Sequence, residues 1–188
     1  MKRKPILALD ADEVMLDFSG YWQGLAETRL GRKLPRNPGS YHFMDRHEIS
    51  RDEYNQVWDY FREVDGWANV PLLPCIGDTL DCLAEDFRLM VVTGIPEEAL
   101  EPRKACFRRW DLPIEDTFAT GHRDQTKQGL LASLSPIGFA DDRLHHLKEA
   151  AEAGVRSLFW VDRGCDTPAD ATENMVRLSG LREILLHL

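Results

Sequence analysis

Long apolar runs are missing from this 188-residue chain, where uninterrupted stretches reach only a few residues. A bilayer-spanning helix needs about 20, so no membrane span is expected. Positive charge is scarce: 23 Lys and Arg stand against 32 Asp and Glu, a formal charge of -9. That balance argues against general binding to a nucleic-acid polymer, which relies on surplus cation. It leaves room for one small phosphorylated molecule in a locally positive pocket. The four cysteines, Cys75, Cys82, Cys106 and Cys165, include no CxxC pair. The start, Met1-Lys2-Arg3-Lys4-Pro5, is basic, but Asp10 and Asp12 interrupt the apolar stretch that follows, against a signal peptide. Reduced thiols and a cytoplasmic location are the expectation. Repeats and low-complexity tracts are absent too. With 43% apolar and 29% charged residues, the chain suits one globular domain, or one domain with a small insert.

What is present is a series of short apolar runs, each ending in polar residues. Ile6-Leu7-Ala8-Leu9 ends at Asp10, and Leu89-Met90-Val91-Val92 at Thr93-Gly94. Ile137-Gly138-Phe139-Ala140 ends at Asp141-Asp142, and Ser157-Leu158-Phe159-Trp160-Val161 at Asp162. Continuous rather than alternating runs predict strands buried on both faces, as in a parallel sheet. Helices are predicted between them: from Asp78 to Glu85, Glu97 to Trp110, Thr126 to Leu134 and Leu144 to Ala153. A last one, capped by Ser179, repeats Leu181, Ile184, Leu185 and Leu188. Alternating strands and helices imply a doubly wound α/β fold, with ligands at the carboxyl ends of the strands.

The stretch 15–74 differs. It holds all four tyrosines and three of the five tryptophans, with helix signals and no good strand. Phe18 to Leu30 reads as a helix, Leu34 to Tyr41 as a loop, and Ser50-Arg51-Asp52-Glu53 as a capping box opening a helix to Glu63. It is predicted to be a helical insert between the core segments 1–14 and 75–188. Its aromatics could simply form a second core.

Asp10-Ala11-Asp12 follows the first strand. A carboxylate can attack phosphorus, and a neighbouring carboxyl can protonate the leaving oxygen, provided the chain turns there so that both converge. Asp141-Asp142 ends another strand of the same sheet. Several carboxylates in one place repel unless protonated or bound to a cation, and all-oxygen ligands favour Mg2+. The bland alternative is that Asp142 caps the helix from Leu144. Thr93-Gly94 offers a hydroxyl and a close backbone approach for a phosphate oxygen. Lys127 could neutralise both the nucleophile and the transferred phosphoryl group. Lys104 also lies between these elements, but in mid-helix, so Lys127 is preferred.

In this order the four elements resemble the motifs of the haloacid dehalogenase-like hydrolase superfamily: Asp10-Ala11-Asp12-Glu13-Val14, Thr93-Gly94, Lys127 and Phe139-Ala140-Asp141-Asp142. The resemblance implies Asp10 as the nucleophile that forms an aspartyl-phosphate, and Asp12 as general acid/base, its backbone carbonyl on Mg2+. It implies Thr93, Gly94 and Lys127 for phosphate, Asp142 with Asp10 for the metal, and Asp141 in support. Asp12 also points to a phosphatase, because the superfamily's dehalogenases lack that residue and need no metal. Glu13 stands where the family usually has Gly, which bears on cap mobility and substrate charge.

The insert corresponds to what that superfamily calls a C1 cap, a lid that excludes water and selects the leaving group. Asp12-Glu13-Val14-Met15-Leu16-Asp17-Phe18, and Gly66-Trp67 followed by Val70-Pro71-Leu72-Leu73-Pro74, are similar to segments of the 5'(3')-deoxyribonucleotidases. Cys75 departs from the Pro-Gly usual there. The resemblance implies Phe18 and Trp67 as the lining of a base pocket and nucleoside monophosphates as substrates. Small sugar or organic-acid phosphates, held by cap Arg or by His42 and His47, are the alternative. A non-catalytic phosphate-binding module is a third reading. Arg103, Lys104, Arg108 and Arg109 read as a basic helix face, solvated or ion-paired. His145-His146 are explained by ordinary helix composition.

Overall fold

The computed structural model describes residues 3–37, 39–121 and 126–188; Met1 and Lys2 of the basic start, and Pro38 of the predicted loop, lie outside them. Six strands form one parallel sheet: β1 (Ile6–Leu9), β2 (Arg88–Thr93), β3 (Ile114–Ala119), β4 (Gly138–Asp141), β5 (Ser157–Val161) and β6 (Met175–Leu178). Their order is β3-β2-β1-β4-β5-β6. The chain winds outward from β1 in one direction, returns to β4 on the other side of β1, and winds outward again. The crevice between the carboxyl ends of β1 and β4 is therefore the switch point at which such sheets bind ligands.

Alternation along each strand distributes its side chains between two helical layers. Leu7, Leu9, Val91, Phe159 and Val161 face α5 (Ile76–Asp86), α6 (Leu100–Arg109) and a closing 3-10 turn, Leu181–Leu186. Ala8, Val92, Phe139, Leu158 and Trp160 face α7 (Gln128–Leu134) and α8 (Leu144–Glu152). Both faces are covered, which is why the inner strands read as continuous apolar runs.

The strands β3 and β6 were not expected, and the last helix is 3-10 rather than α. Leu181 and Ile184, three residues apart, are its buried pair, the spacing at which 3-10 side chains align. Its N-cap is Gly180, not Ser179. At α7, Thr126 does hold the first turn, its Oγ1 accepting from Gln128 N at 3.1 Å.

Between β1 and α5 lie the cap helices α1 (Phe18–Leu30), α2 (Phe43–His47), α3 (Arg51–Glu63) and α4 (Gly66–Asn69). They enclose their own core of Trp22, Ala26, Leu34, Ile49, Val57 and Phe61. Ser50 and Glu53 form the reciprocal capping box of α3. The two chains joining cap to core pair with each other: Asp17 N donates to Pro71 O and Leu73 N to Met15 O, both at 2.9 Å. Among the described residues, no helix is long and apolar enough to cross a membrane.

Candidate active site

Leu9 of β1 is in register with Ala140 of β4, and the ladder continues one step further as Asp10 N donates to Ala140 O at 2.8 Å. That register sets the Asp10 and Asp141 side chains beside each other. Lys127, at the head of α7, closes the group: its Nζ donates to Asp10 Oδ1 at 2.6 Å and to Asp141 Oδ2 at 2.8 Å. Its own backbone N donates to Glu149 Oε2 of α8 at 2.9 Å. Lys104 instead pairs with Asp116 at 3.0 Å, on β3. The helix from Leu144 is not capped by Asp142. Leu144 N donates to Asp166 Oδ2 and Arg143 N to Asp141 Oδ1, both at 2.8 Å, which leaves the Asp142 carboxylate out of the helix cap.

Asp12 stands two residues on from Asp10. Its Oδ1 accepts from Arg103 Nη2 at 2.8 Å. Arg103 does not belong to an exposed basic face. It is wholly buried, and its guanidinium carbon sits 5.2 Å from the Trp67 ring centre. Next to Asp12 the chain turns through Glu13 at φ +62°, a conformation that suits Gly better than Glu. The Glu13 side chain compensates: its Oε1 accepts from Ser19 N, at the free N-terminal end of α1, at 2.7 Å. Arg163, after β5, donates from Nε to Glu13 O at 2.7 Å.

These residues floor a cavity of about 980 Å³ roofed by the cap. Asp10, Asp12, Thr93, Gly94, Lys127, Asp141, Asp142, Phe18 and Trp67 all line it. Thr93 is buried at the end of β2. Phe18 stacks on Trp67 (centroids 5.5 Å apart, planes at 15°) and on Phe43 (6.0 Å, 21°). His42 and His47 are not among the lining residues. His47 is buried in the cap, with Nδ1 2.8 Å from Pro35 O and its ring against Trp22. Arginines occupy the wall instead: Arg46, Arg51, Arg62, Arg143 and Arg163. Arg46 ties α2 to α1, donating from Nη1 to Ser19 Oγ at 2.9 Å, and to the core, donating from Nη2 to Cys165 Sγ at 3.1 Å.

The electrostatics follow from burial. Burial drives the Asp10 carboxyl above the usual range; Lys127 opposes that shift and Asp141 adds to it. Burial, then Asp141 and Asp10, raise Asp142 well above its ordinary value. Burial pushes Asp12 up to about 6 against the pull of Arg103. Burial disfavours the Lys127 ammonium, but Asp10 and Asp141 outweigh it and its pKa rises, so this lysine is a fixed cation. Burial, with Lys127 nearby, lowers His146 to about 4 and keeps it neutral at pH 7.

The donor set suits a hard divalent ion. Asp10, Asp141 and Asp142 offer carboxylate oxygens all within 4.8 Å of one another. Lys127 bonds only Asp10 and Asp141, so the three buried carboxylates outnumber their cation and a further positive charge would favour their ionised forms.

Glu149, Arg163, Arg46 and Arg103 were not picked out as site residues by the sequence reading. Each is an ordinary charged residue in a helix or loop, and no spacing rule ties it to the motifs.

No protein-family model and no curated protein matches the sequence. Solved structures do match its fold. A protein assigned as a HAD-hydrolase from Bacillus subtilis, bound to magnesium, aligns over 100% of this chain and 99% of its own (TM-score 0.68, 18% identity). A protein assigned as a phosphoglycolate phosphatase from Lactobacillus plantarum aligns over the whole of both chains (0.64, 16%). An L-2-haloacid dehalogenase aligns over 98% of this chain and 99% of its own (0.64, 14%). The fold is thus the haloacid dehalogenase-like α/β fold with a helical cap. Phosphatase and dehalogenase descriptions both occur on it, so the reaction must be argued from the site.

Proposed function

We propose that the protein is a Mg2+-dependent phosphomonoesterase working through an aspartyl-phosphate on Asp10. One observation carries this: Lys127 Nζ bonds Asp10 Oδ1 at 2.6 Å, and two residues on stands Asp12, a carboxyl that burial pushes up to about 6. Both open onto one cavity. Asp10 and Asp142, with the Asp12 backbone carbonyl, would hold the ion. When bound, it supplies charge that neutralises phosphoryl oxygens.

The remaining work belongs to the chain. Lys127 keeps Asp10 ionised and oriented, and attracts the phosphoryl oxygens. Thr93 and Gly94 close on the phosphate from β2. An Asp10 oxygen attacks phosphorus as the ester P–O bond breaks, and the Asp12 proton passes to the departing oxygen, releasing an alcohol. In the second half, Asp12, now a carboxylate, takes a proton from water. The water oxygen attacks phosphorus, the Asp10–phosphoryl bond breaks and phosphate leaves. The cap roof excludes bulk water.

For the substrate, nucleoside monophosphates are the reading drawn from the cap, with Phe18 and Trp67 against the base. Those rings stack on each other and on Phe43, so a base would have to part them. The five wall arginines favour small sugar or organic-acid phosphates at least as strongly. Released phosphate should be measured over deoxynucleotides, ribonucleotides, sugar phosphates and p-nitrophenyl phosphate, with Mg2+ and with chelator. Chelator-sensitive turnover is expected. No turnover of any ester by folded protein with Mg2+ would sink the enzyme reading in favour of a phosphate-binding module.

A further inference from the structure

Arg103 is an unusual buried group. It is wholly buried, yet only Nη2 bonds to a carboxylate, while Nε and Nη1 have no partner among the described residues. Enclosing a guanidinium with one carboxylate and two unmet donors is a poor route to stability, and replacing such pairs by apolar groups is often neutral. Buried unmet donors call for an explanation. Arg103 touches two residues of the cavity lining, Asp12 from the core and Trp67 from the cap. Its helix is also the seat of the cap's return strand. Cys106 Sγ donates to Val70 O at 3.3 Å, and Arg109 Nη1 to Asn69 Oδ1 at 2.6 Å. At steps of three residues, α6 therefore meets Trp67, Val70 and Asn69 on one side.

We propose that Arg103 is the positioning residue of the general acid, fixing Asp12 Oδ1 so that Oδ2 carries the proton delivered to the leaving group, with Trp67 of the seated cap holding the guanidinium in place. This deepens the phosphomonoesterase reading and rests on it. Asp12 is 23% exposed on its side chain while Arg103 has no exposure, so the arginine acts through the acid rather than on the substrate. The step balances as written above: Oδ2–H gives its proton to the ester oxygen as the P–O bond breaks, and Asp12 keeps the charge, which Arg103 neutralises.

The test is the dependence on leaving group. An alkyl phosphate needs its oxygen protonated as it departs, whereas p-nitrophenolate leaves well without help. Compare kcat/KM for β-glycerophosphate and p-nitrophenyl phosphate in wild type, Arg103→Met, Arg103→Lys and Asp12→Asn. General-acid contributions are about 10²–10⁴-fold. For Arg103→Met, the alkyl ester should lose about 100-fold or more and the aryl ester about tenfold or less, on that scale. Arg103→Lys, which retains a cation and a donor, should recover part of the difference. Equal losses for the two esters would show a merely structural role and overturn the proposal. If Arg103→Met does not fold, the ratio in Arg103→Lys and Arg103→Gln decides in the same way. Asp12→Asn separates the two claims. If it retains alkyl-ester turnover, the assignment of the acid itself is wrong. If it loses turnover while the Arg103 variants keep the wild-type ratio, only the role of Arg103 fails.

Discussion

Replacing Lys127 by Met isolates the electrostatic core of the site. Methionine is unbranched and of similar reach, so little cavity is left, and the main change is loss of the cation. In the native protein that ammonium is 1% exposed and bonds Asp10 and Asp141 at 2.6 and 2.8 Å. Removing one partner of a buried pair costs about 3–5 kcal/mol, because the other charge stays buried without compensation. Without Lys127, no ammonium opposes the upward shift that burial gives the Asp10 carboxyl. An acid of that kind contributes stability below its unfolded pKa of 3.8, and loses it as pH rises through the folded value. The deficit should therefore be small near pH 4 and reach about 3–5 kcal/mol by pH 7.5. For a chain of this length, that corresponds to a melting point lower by roughly 6–20 °C. Urea unfolding of metal-free wild type and Lys127→Met at several pH values reads it directly. Equal midpoints at pH 7.5, or a deficit that does not grow with pH, would refute the argument.

Other outcomes follow from the same contacts. Added Mg2+ should raise the melting point little at pH 4.5 and progressively more to pH 7.5. Asp10 and Asp142 are both raised and must lose protons as the ion binds. His146, lowered to about 4, costs stability as pH falls below its unfolded value with or without the ion, so the Mg2+-induced difference is the quantity to follow. Glu13→Gly removes about 1 kcal/mol of left-handed backbone strain but also the acceptor for Ser19 N. Stability should stay within about 1 kcal/mol, while amide exchange at Ser19 accelerates. Unchanged exchange there would show that Glu13 does not hold α1.

The parts of the fold legible in the sequence were those governed by burial. The strands β1, β2, β4 and β5 are enclosed by neighbours on both sides, and their unbroken apolar runs show it. The two missed strands are the sheet's edges. In β3, Glu115 and Asp116 are exposed, and β6 carries exposed Arg177. Charged edges protect against further pairing and erase the pattern by which a strand is read.

At the site, the candidate carboxylates were readable because two buried strands of one sheet, β1 and β4, each end in an acidic pair, a coincidence that helix capping alone does not explain. Which lysine meets Asp10 depends on how the layers stack, and Lys104 and Lys127 were separable only by their place on helices. Arg103 was hidden for the same reason: its neighbours Lys104, Arg108 and Arg109 suggest a solvated face, while helix packing turns Arg103 alone inward. Phe18 and Trp67 line the cavity and also stack on each other, a contact set by how the cap helices pack and carried by no motif.

The central claim is a covalent phosphoryl group on Asp10. Wild-type protein should be quenched in acid during turnover of its best ester with Mg2+, digested and analysed by mass spectrometry. The account predicts a phosphoryl adduct, released by hydroxylamine, on the peptide bearing Asp10, and none in Asp10→Asn. Rapid turnover with no adduct at any quench time, or turnover that survives Asp10→Asn, would contradict it.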